Sequence, residues 1–161
     1  MRTLIVYYSF DGNTKFIAEI IAKTIKADLL ELKPKEEITR GPLKHLWGGR
    51  QVMMKEKPEL FSFDKNPDDF DVIYIGTPVW AFNYAPAINA FLSKTELKRK
   101  KIALFCCHGG TPGNTIAKMR ELLKKDNEIL GEISFKEPLT NEKEKNEEVA
   151  KKWALDIINS L

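Results

Sequence analysis

Ser9, Asn13 and Thr14, gathered around Gly12 in the stretch "SFDGNT", are the residues whose types and spacing first suggest chemistry. Two hydroxyls and a carboxamide on a turn that opens a helix add to the free amides of the helix N-terminus. Such amides, with the helix dipole behind them, suit a phosphate. The competing reading is helix capping, because Ser, Asp, Asn and Thr are all ordinary N-cap residues. One such residue is enough for a cap. Here a hydroxyl stands on each side of the glycine, which favours the phosphate. No GxxxxGK[ST] is present, and no GxGxxG follows the first apolar run, so neither a Walker loop nor the usual dinucleotide fingerprint is expected.

Two further stretches concentrate unusual residues. "TPVWAFNYAP", from Thr77 to Pro86, places Trp80, Phe82 and Tyr84 close together beside Asn83. "CCHGGTPGNT", from Cys106 to Thr115, carries Gly109, Gly110 and Gly113, which let backbone approach a flat ligand closely. Its His108 reads either as a solvated loop residue or as a proton donor beside a ligand. Cys106 and Cys107 are adjacent at the end of an apolar run, a poor arrangement for a structural disulfide or a metal site. Cys107 therefore reads as an interior thiol rather than a redox partner, in a reducing compartment.

These stretches need elements to position them. Each follows an apolar run and precedes a helical pattern: Leu4–Tyr8 before a helix with Phe16, Ile17, Ile20, Ile21 and Ile25 at helical spacing, and "DVIYIGT" before a helix from about Pro86 to Leu92. "KIALFCC" precedes a helix with Ile116, Ala117, Met119, Leu122 and Leu123 on one side. "ADLLELK" and "EILGEISF" are two more strand candidates, and the C-terminal helix spaces Val149, Trp153 and Ile157 four residues apart. Uniformly apolar strands alternating with helices predict a parallel sheet covered on both faces, an α/β three-layer sandwich. The second and fifth runs mix in charge, as edge strands can. A five-stranded sheet of order 2-1-3-4-5 follows. In such sheets ligands bind beyond the carboxyl ends of the strands, where the winding reverses, so all three stretches would line one crevice.

Composition sets the remaining bounds. At 161 residues, 43% hydrophobic and 30% charged, the chain is expected to form a single domain spanning residues 1–161. The opening apolar run is too short for a signal peptide, and no segment approaches membrane-spanning length, so a cytoplasmic protein without membrane insertion is expected. The net charge of +3, with lysines interleaved among acids, does not call for a nucleic-acid partner. Residues 34–63 form a long basic connection containing Trp47. It reads as a helix plus loop with Leu46, Trp47, Val52 and Met53 packed inward, or as a lid offering Lys44 or Arg50 to an anionic group.

Ile5, Val6, Tyr7, Tyr8, Ser9, Phe10, Asp11, Gly12, Asn13 and Thr14, followed by Ala18 and Ile21, resemble the N-terminal signature of the flavodoxins position by position. The resemblance covers the whole chain in element order, and in sharp motif identity only this first turn. It implies a flavodoxin-like domain that binds flavin mononucleotide (FMN), with Ser9, Gly12, Asn13 and Thr14, and the intervening Phe10 and Asp11, around the phosphate. It further implies that Thr77, Pro78, Val79, Trp80, Phe82 and Asn83 seat the isoalloxazine ring, Trp80 stacking on it and backbone groups meeting its polar edge. His108, Gly109, Gly110, Thr111 and Gly113 would flank the ring, while Thr111 and Asn114 either cap the following helix or touch the flavin. The sequence departs from the family in having no aromatic residue in "HGGTPGN", which would leave one ring face open, and no glycine between Thr77 and Pro86. A dedicated electron carrier serving a redox partner protein is one expectation. A reductase passing electrons from NAD(P)H through FMN to a quinone or similar acceptor is the other. A flavin-free receiver module is disfavoured, because the first strand ends in Tyr8 and Ser9 and the third in Gly76 and Thr77, not in an acidic cluster.

Overall fold

The computed structural model describes residues 1–36 and 57–161. Among the described residues, six strands, β1 (Thr3–Tyr7), β2 (Asp28–Glu31), β3 (Val72–Trp80), β4 (Asn83–Tyr84), β5 (Lys101–His108) and β6 (Glu128–Lys136), are interleaved with four α-helices. These are α1 (Asn13–Ile25), α2 (Pro86–Lys94), α3 (Thr115–Leu123) and α4 (Lys143–Asn159). The main sheet runs β2-β1-β3-β5-β6 with every neighbouring pair parallel. This is the expected five-strand order. Among the described residues, the additional β4 pairs with the end of β3, antiparallel, Val79 opposite Tyr84 and Trp80 opposite Asn83.

Burial explains the order. β1, β3 and β5 carry apolar side chains on both faces, and Leu4, Ile5, Val6, Ile73, Tyr74, Ile75, Leu104 and Phe105 are all fully buried. Such strands are stable only when helices cover both sides. α1 and α4 cover one face through Ile17, Ala18, Ile21, Ala150, Ala154 and Ile157. α2 and α3 cover the other through Ile88, Phe91, Met119 and Leu123. β2 and β6, with their mixed burial, take the edges.

Two helices present faces slightly rotated from those the apolar spacing predicts. In α4 the inward positions are Ala150, Ala154 and Ile157 with Trp153 partly buried, and Val149 is exposed. Small residues let this helix lie close to the sheet, where the Tyr74 hydroxyl donates to the Ala154 carbonyl at 3.3 Å and the Trp153 ring meets Tyr74 edge-on at 5.5 Å. In α3, Met119 and Leu123 point inward and Leu122 outward. The basic connection is described only at its ends. There Pro34 bridges Leu60 antiparallel, and the amides of Lys35 and Phe61 donate to Glu59 and Lys33. Lys44, Leu46, Trp47, Arg50, Val52 and Met53 lie outside the described residues.

One contact ties the middle of the sheet together. Gly76 stands opposite Phe105 in the β3–β5 register, and a Cβ placed on Gly76 would lie 2.1 Å from the Phe105 ring. Gly76→Ala is therefore expected to destabilise the fold by about 1–3 kcal/mol, the usual cost of overpacking a filled core. Denaturant unfolding reads this loss, and adding Phe105→Leu is expected to restore part of it. An unchanged midpoint for Gly76→Ala would show that the ring swings away freely.

Candidate functional site

The carboxyl ends of β1, β3 and β5 lie side by side, because Tyr7 pairs with Gly76 and Pro78 with Cys107. The first, second and third turns that leave these strands therefore border one edge of the sheet. Tyr8 extends the ladder, its amide donating a hydrogen bond to the Gly76 carbonyl at 3.2 Å, and the chain then leaves the sheet at Ser9.

The first turn opens α1 without a side-chain cap. Its N-cap residue is Gly12, at φ +95°, where most L-residues would be strained. The Asp11 carboxylate accepts from the Asn13 amide at 3.1 Å, and the Asn13 side-chain oxygen accepts from the Leu139 amide at 3.0 Å. Ser9 and Thr14 do neither. Their buried hydroxyl oxygens have no hydrogen-bond partner, and Thr14 is wholly buried. The capping reading of these two residues is thus not what the structure shows; the first amide of α1, that of Asn13, is held by Asp11 instead.

Orphaned polar atoms recur on the third turn. Among the described residues, the buried side-chain nitrogens and oxygens without a hydrogen bond are Ser9 Oγ, Thr14 Oγ1, His108 Nδ1 and Thr115 Oγ1. All four sit on the first and third turns or at the helix starts that follow. Thr14 leans on the Cys107 thiol, a weak acceptor, and the His108 ring lies near the Gly110 carbonyl, but neither contact has full hydrogen-bond geometry. Leaving a buried polar group unsatisfied costs about 1–3 kcal/mol, so four at one edge mark a place where satisfaction is expected from outside the chain.

Thr77 has a different fate. Its buried hydroxyl donates to the Pro78 carbonyl and accepts from the Ala85 amide, both at 2.9 Å, and so ties the end of β3 to the start of α2. What the sequence suggested as an open second turn is a hairpin. β3 runs on through Val79 to Trp80, Ala81 and Phe82 form a two-residue tip at φ +48° and +58°, and β4 returns at Asn83. Neither tip residue is one that favours left-handed backbone, so no turn signal was there to be seen. The Asn83 side chain accepts from the Tyr84 amide at 2.9 Å.

The two aromatics of that hairpin part company. Trp80 is half-buried, its ring edge-on to Tyr8 at 5.7 Å and to Phe10 at 5.6 Å, so it joins the first turn to the second. Phe82 is exposed and leans towards the third turn, where a Cβ on Gly113 would lie 3.0 Å from its ring. Gly113, at φ +52°, makes room for it. Lys118 of α3 donates to the Phe82 carbonyl at 3.2 Å.

In the third turn, Gly109, Gly110 and Thr111 are exposed, and nothing lies within 4 Å of where a Cβ on Gly110 would stand. The Thr111 hydroxyl accepts from the Gly113 amide at 3.3 Å, and Asn114, the N-cap of α3, makes no side-chain cap bond. His108 is held below its ordinary range chiefly by burial, with the Gly110 carbonyl pulling the other way, so its ring is neutral at pH 7. Burial pushes the Cys106 thiol up to about 12 and raises Cys107 as well, which keeps both protonated and unreactive.

The structure brings one segment to this edge that the sequence did not flag. Residues 137–142, between β6 and α4, reach the first turn through Leu139 and the third through the Glu137 amide, which donates to the His108 carbonyl at 2.9 Å. No motif marks them; only the fold carries them there.

Comparison with known proteins agrees with this architecture. The family model for flavodoxin matches residues 2–157. The flavodoxin-like domain-containing protein BilS of Clostridioides difficile is 26% identical over 136 residues, and this chain spans 63% of that relative's length while 81% of the chain is matched. Among solved structures, a flavoprotein of Lactobacillus acidophilus in complex with FMN is 28% identical, with a TM-score of 0.72 over 88% of this chain and 97% of that one. The two-electron reduced flavodoxin of Megasphaera elsdenii, 20% identical with a TM-score of 0.58 over 94% and 98%, shares the fold. With the family model matched along nearly its whole length, the chain belongs to the flavodoxin family.

Proposed function

We propose that the chain binds FMN at the carboxyl edge of its sheet and serves as an electron-transfer flavoprotein. The observation that carries this reading is the pair of buried, unpartnered hydroxyls, Ser9 Oγ and Thr14 Oγ1, beside a helix start whose N-cap is a glycine without a side-chain cap. Buried hydroxyls left without a partner beside a helix N-terminus fit a phosphate, which such an end attracts through its amides and dipole. The FMN complex of the L. acidophilus relative supports the choice of nucleotide.

In this reading Ser9 and Thr14 donate to the phosphate together with the amides of Thr14 and Lys15 at the start of α1, and Gly12 keeps the turn open. Asp11 holds the Asn13 amide rather than the phosphate, and its exposed carboxylate is the one anionic group of the turn. The hairpin from Pro78 to Asn83 and the third turn from His108 to Gly113 flank the ring. Trp80 braced by Tyr8 and Phe10 forms one wall, and exposed Phe82 stands at the rim. Bound flavin supplies reversible one- and two-electron chemistry; the protein sets its access and polarity. His108, neutral and partly buried, contributes a polar edge without adding charge.

Ser9→Ala with Thr14→Val is expected to weaken FMN by about 1.5–3 kcal/mol for each hydrogen bond lost to a charged group, while riboflavin, which lacks the phosphate, changes little. Fluorescence titration with both ligands measures this. Equal weakening of the two would remove the phosphate from the first turn.

A reductase acting between NAD(P)H and a flat acceptor is the second reading. It is favoured by the exposed third turn, where Gly109 and Gly110 carry no aromatic cover and space around Gly110 is open. Anaerobic titration of the FMN-loaded protein separates the two. Reduction by dithionite in two resolved one-electron steps, with no reaction towards NADPH, is expected for the carrier; rapid single-step reduction by NADPH would establish the reductase.

A further inference from the structure

The segment between β6 and α4 spans both ligand turns while offering them no functional side chain. At one end the Glu137 amide continues the β5–β6 ladder onto the His108 carbonyl at 2.9 Å, and a Cβ on Gly109 would lie 3.6 Å from the Glu137 carboxylate. In the middle, Leu139 meets the first turn twice. Its amide donates to Asn13 Oδ1 at 3.0 Å, and its side chain stands 3.2 Å from where a Cβ on Gly12 would be.

The segment is itself firmly held. The amides of Thr140 and Asn141 both donate to the Glu137 carbonyl, at 3.0 and 2.8 Å, and close it into a compact turn. Pro138 is buried. Asn146 of α4 donates through its side chain to the Asn141 carbonyl at 2.7 Å. Glu137 and Glu142, at φ +41° and +46°, adopt left-handed backbone that costs non-glycine residues about 1 kcal/mol or more. Strain of this kind persists only where the surroundings fix it.

The consequence falls on Asn13. Its amide is taken by Asp11 and its side-chain oxygen by Leu139, so the residue between Gly12 and Thr14 is fixed from both sides. With Asn13 fixed and Gly12 backed by the Leu139 side chain, the first turn has little freedom to change shape. A bound anion then meets amides and hydroxyls already in place, which is how preorganisation raises affinity.

We propose that Leu139 is a positioning residue for the phosphate turn: it acts through Asn13 and Gly12, touches no ligand itself, and makes the segment 137–142 a strut between the first and third turns. This rests on the reading that the FMN phosphate occupies the first turn. Anion affinity is then set partly by a residue that lies 126 positions from Asn13 in the sequence.

The test uses the full chain as three proteins, each titrated with two ligands. Dissociation constants for FMN and riboflavin are taken for wild type, Leu139→Gly and Leu139→Met, with amide hydrogen exchange of residues 137–142 followed in the wild type with and without FMN. Leu139→Gly keeps the amide but removes the buttress and loosens the backbone. It is expected to weaken FMN about tenfold and riboflavin less than about twofold, and Leu139→Met is expected to restore the ratio. In the wild type, FMN is expected to slow exchange across residues 137–142. An unchanged ratio in Leu139→Gly, or equal weakening of both ligands, would overturn the positioning role, because a merely structural residue moves both together. Should Leu139→Gly fail to fold, the exchange experiment decides alone: no slowing by FMN would overturn the strut. Wild type that does not distinguish FMN from riboflavin would instead bring down the phosphate reading and the strut with it.

Discussion

A parallel sheet covered by helices on both faces must bury every strand on both sides, and this constraint decides where the chain can carry chemistry. Along β1, β3 and β5 there is no room for a functional polar side chain among residues such as Ile5, Ile75 and Leu104. The buried Tyr74 hydroxyl within β3 is committed to the Ala154 carbonyl, and the unpartnered polar groups gather at the carboxyl ends of the strands. Ser9 lies just past the end of β1, Thr77 in the last paired stretch of β3 and His108 at the end of β5. Because the strands are parallel and in register, all three fall on the same edge, and the site follows from topology before any residue is chosen.

That edge treats its polar residues unequally, and the inequality carries the functional meaning. Thr77 satisfies itself within the chain and holds β3 to α2. Ser9, Thr14, His108 and Thr115 do not, although their polar atoms are buried. A fold that leaves buried donors open at one place forgoes stability there, and a ligand that supplies the missing partners recovers it on binding. The hairpin tip adds left-handed Ala81 and Phe82 at the rim of the same crevice. Unmet hydrogen bonding thus gathers where the ligand is expected, whereas left-handed non-glycine backbone occurs there and also at Lys26 and Arg99.

Much of this was legible in the sequence for a physical reason. Strands buried on both faces read as unbroken apolar runs, so the five main strands and the edge positions of β2 and β6 could be read from the pattern of apolar and charged residues, whereas β4 could not. The GNT of the first turn was equally visible, since glycine, hydroxyl and amide types are scarce in combination. Contacts between distant segments were not. Asn13 looked like one more phosphate-binding residue, and only the fold shows its side-chain oxygen committed to the Leu139 amide. The hairpin carried no turn signal, because Ala81 and Phe82 take a conformation their types do not advertise. Val149 and Leu122 match the helical period yet face outward, where Ala150 and Met119 fit the sheet more closely.

The central claim is that the first turn holds a phosphate by donors already in place, and ³¹P magnetic resonance of the FMN-loaded protein across a pH series tests it most directly. Free phosphate monoesters titrate with a second pKa of about 6. A dianion held by buried hydroxyls and helix-terminal amides is predicted to show a shifted resonance that stays constant well below that value, because every donor stabilises the charged form. A resonance that titrates like free FMN would place the phosphate in solvent and contradict the account.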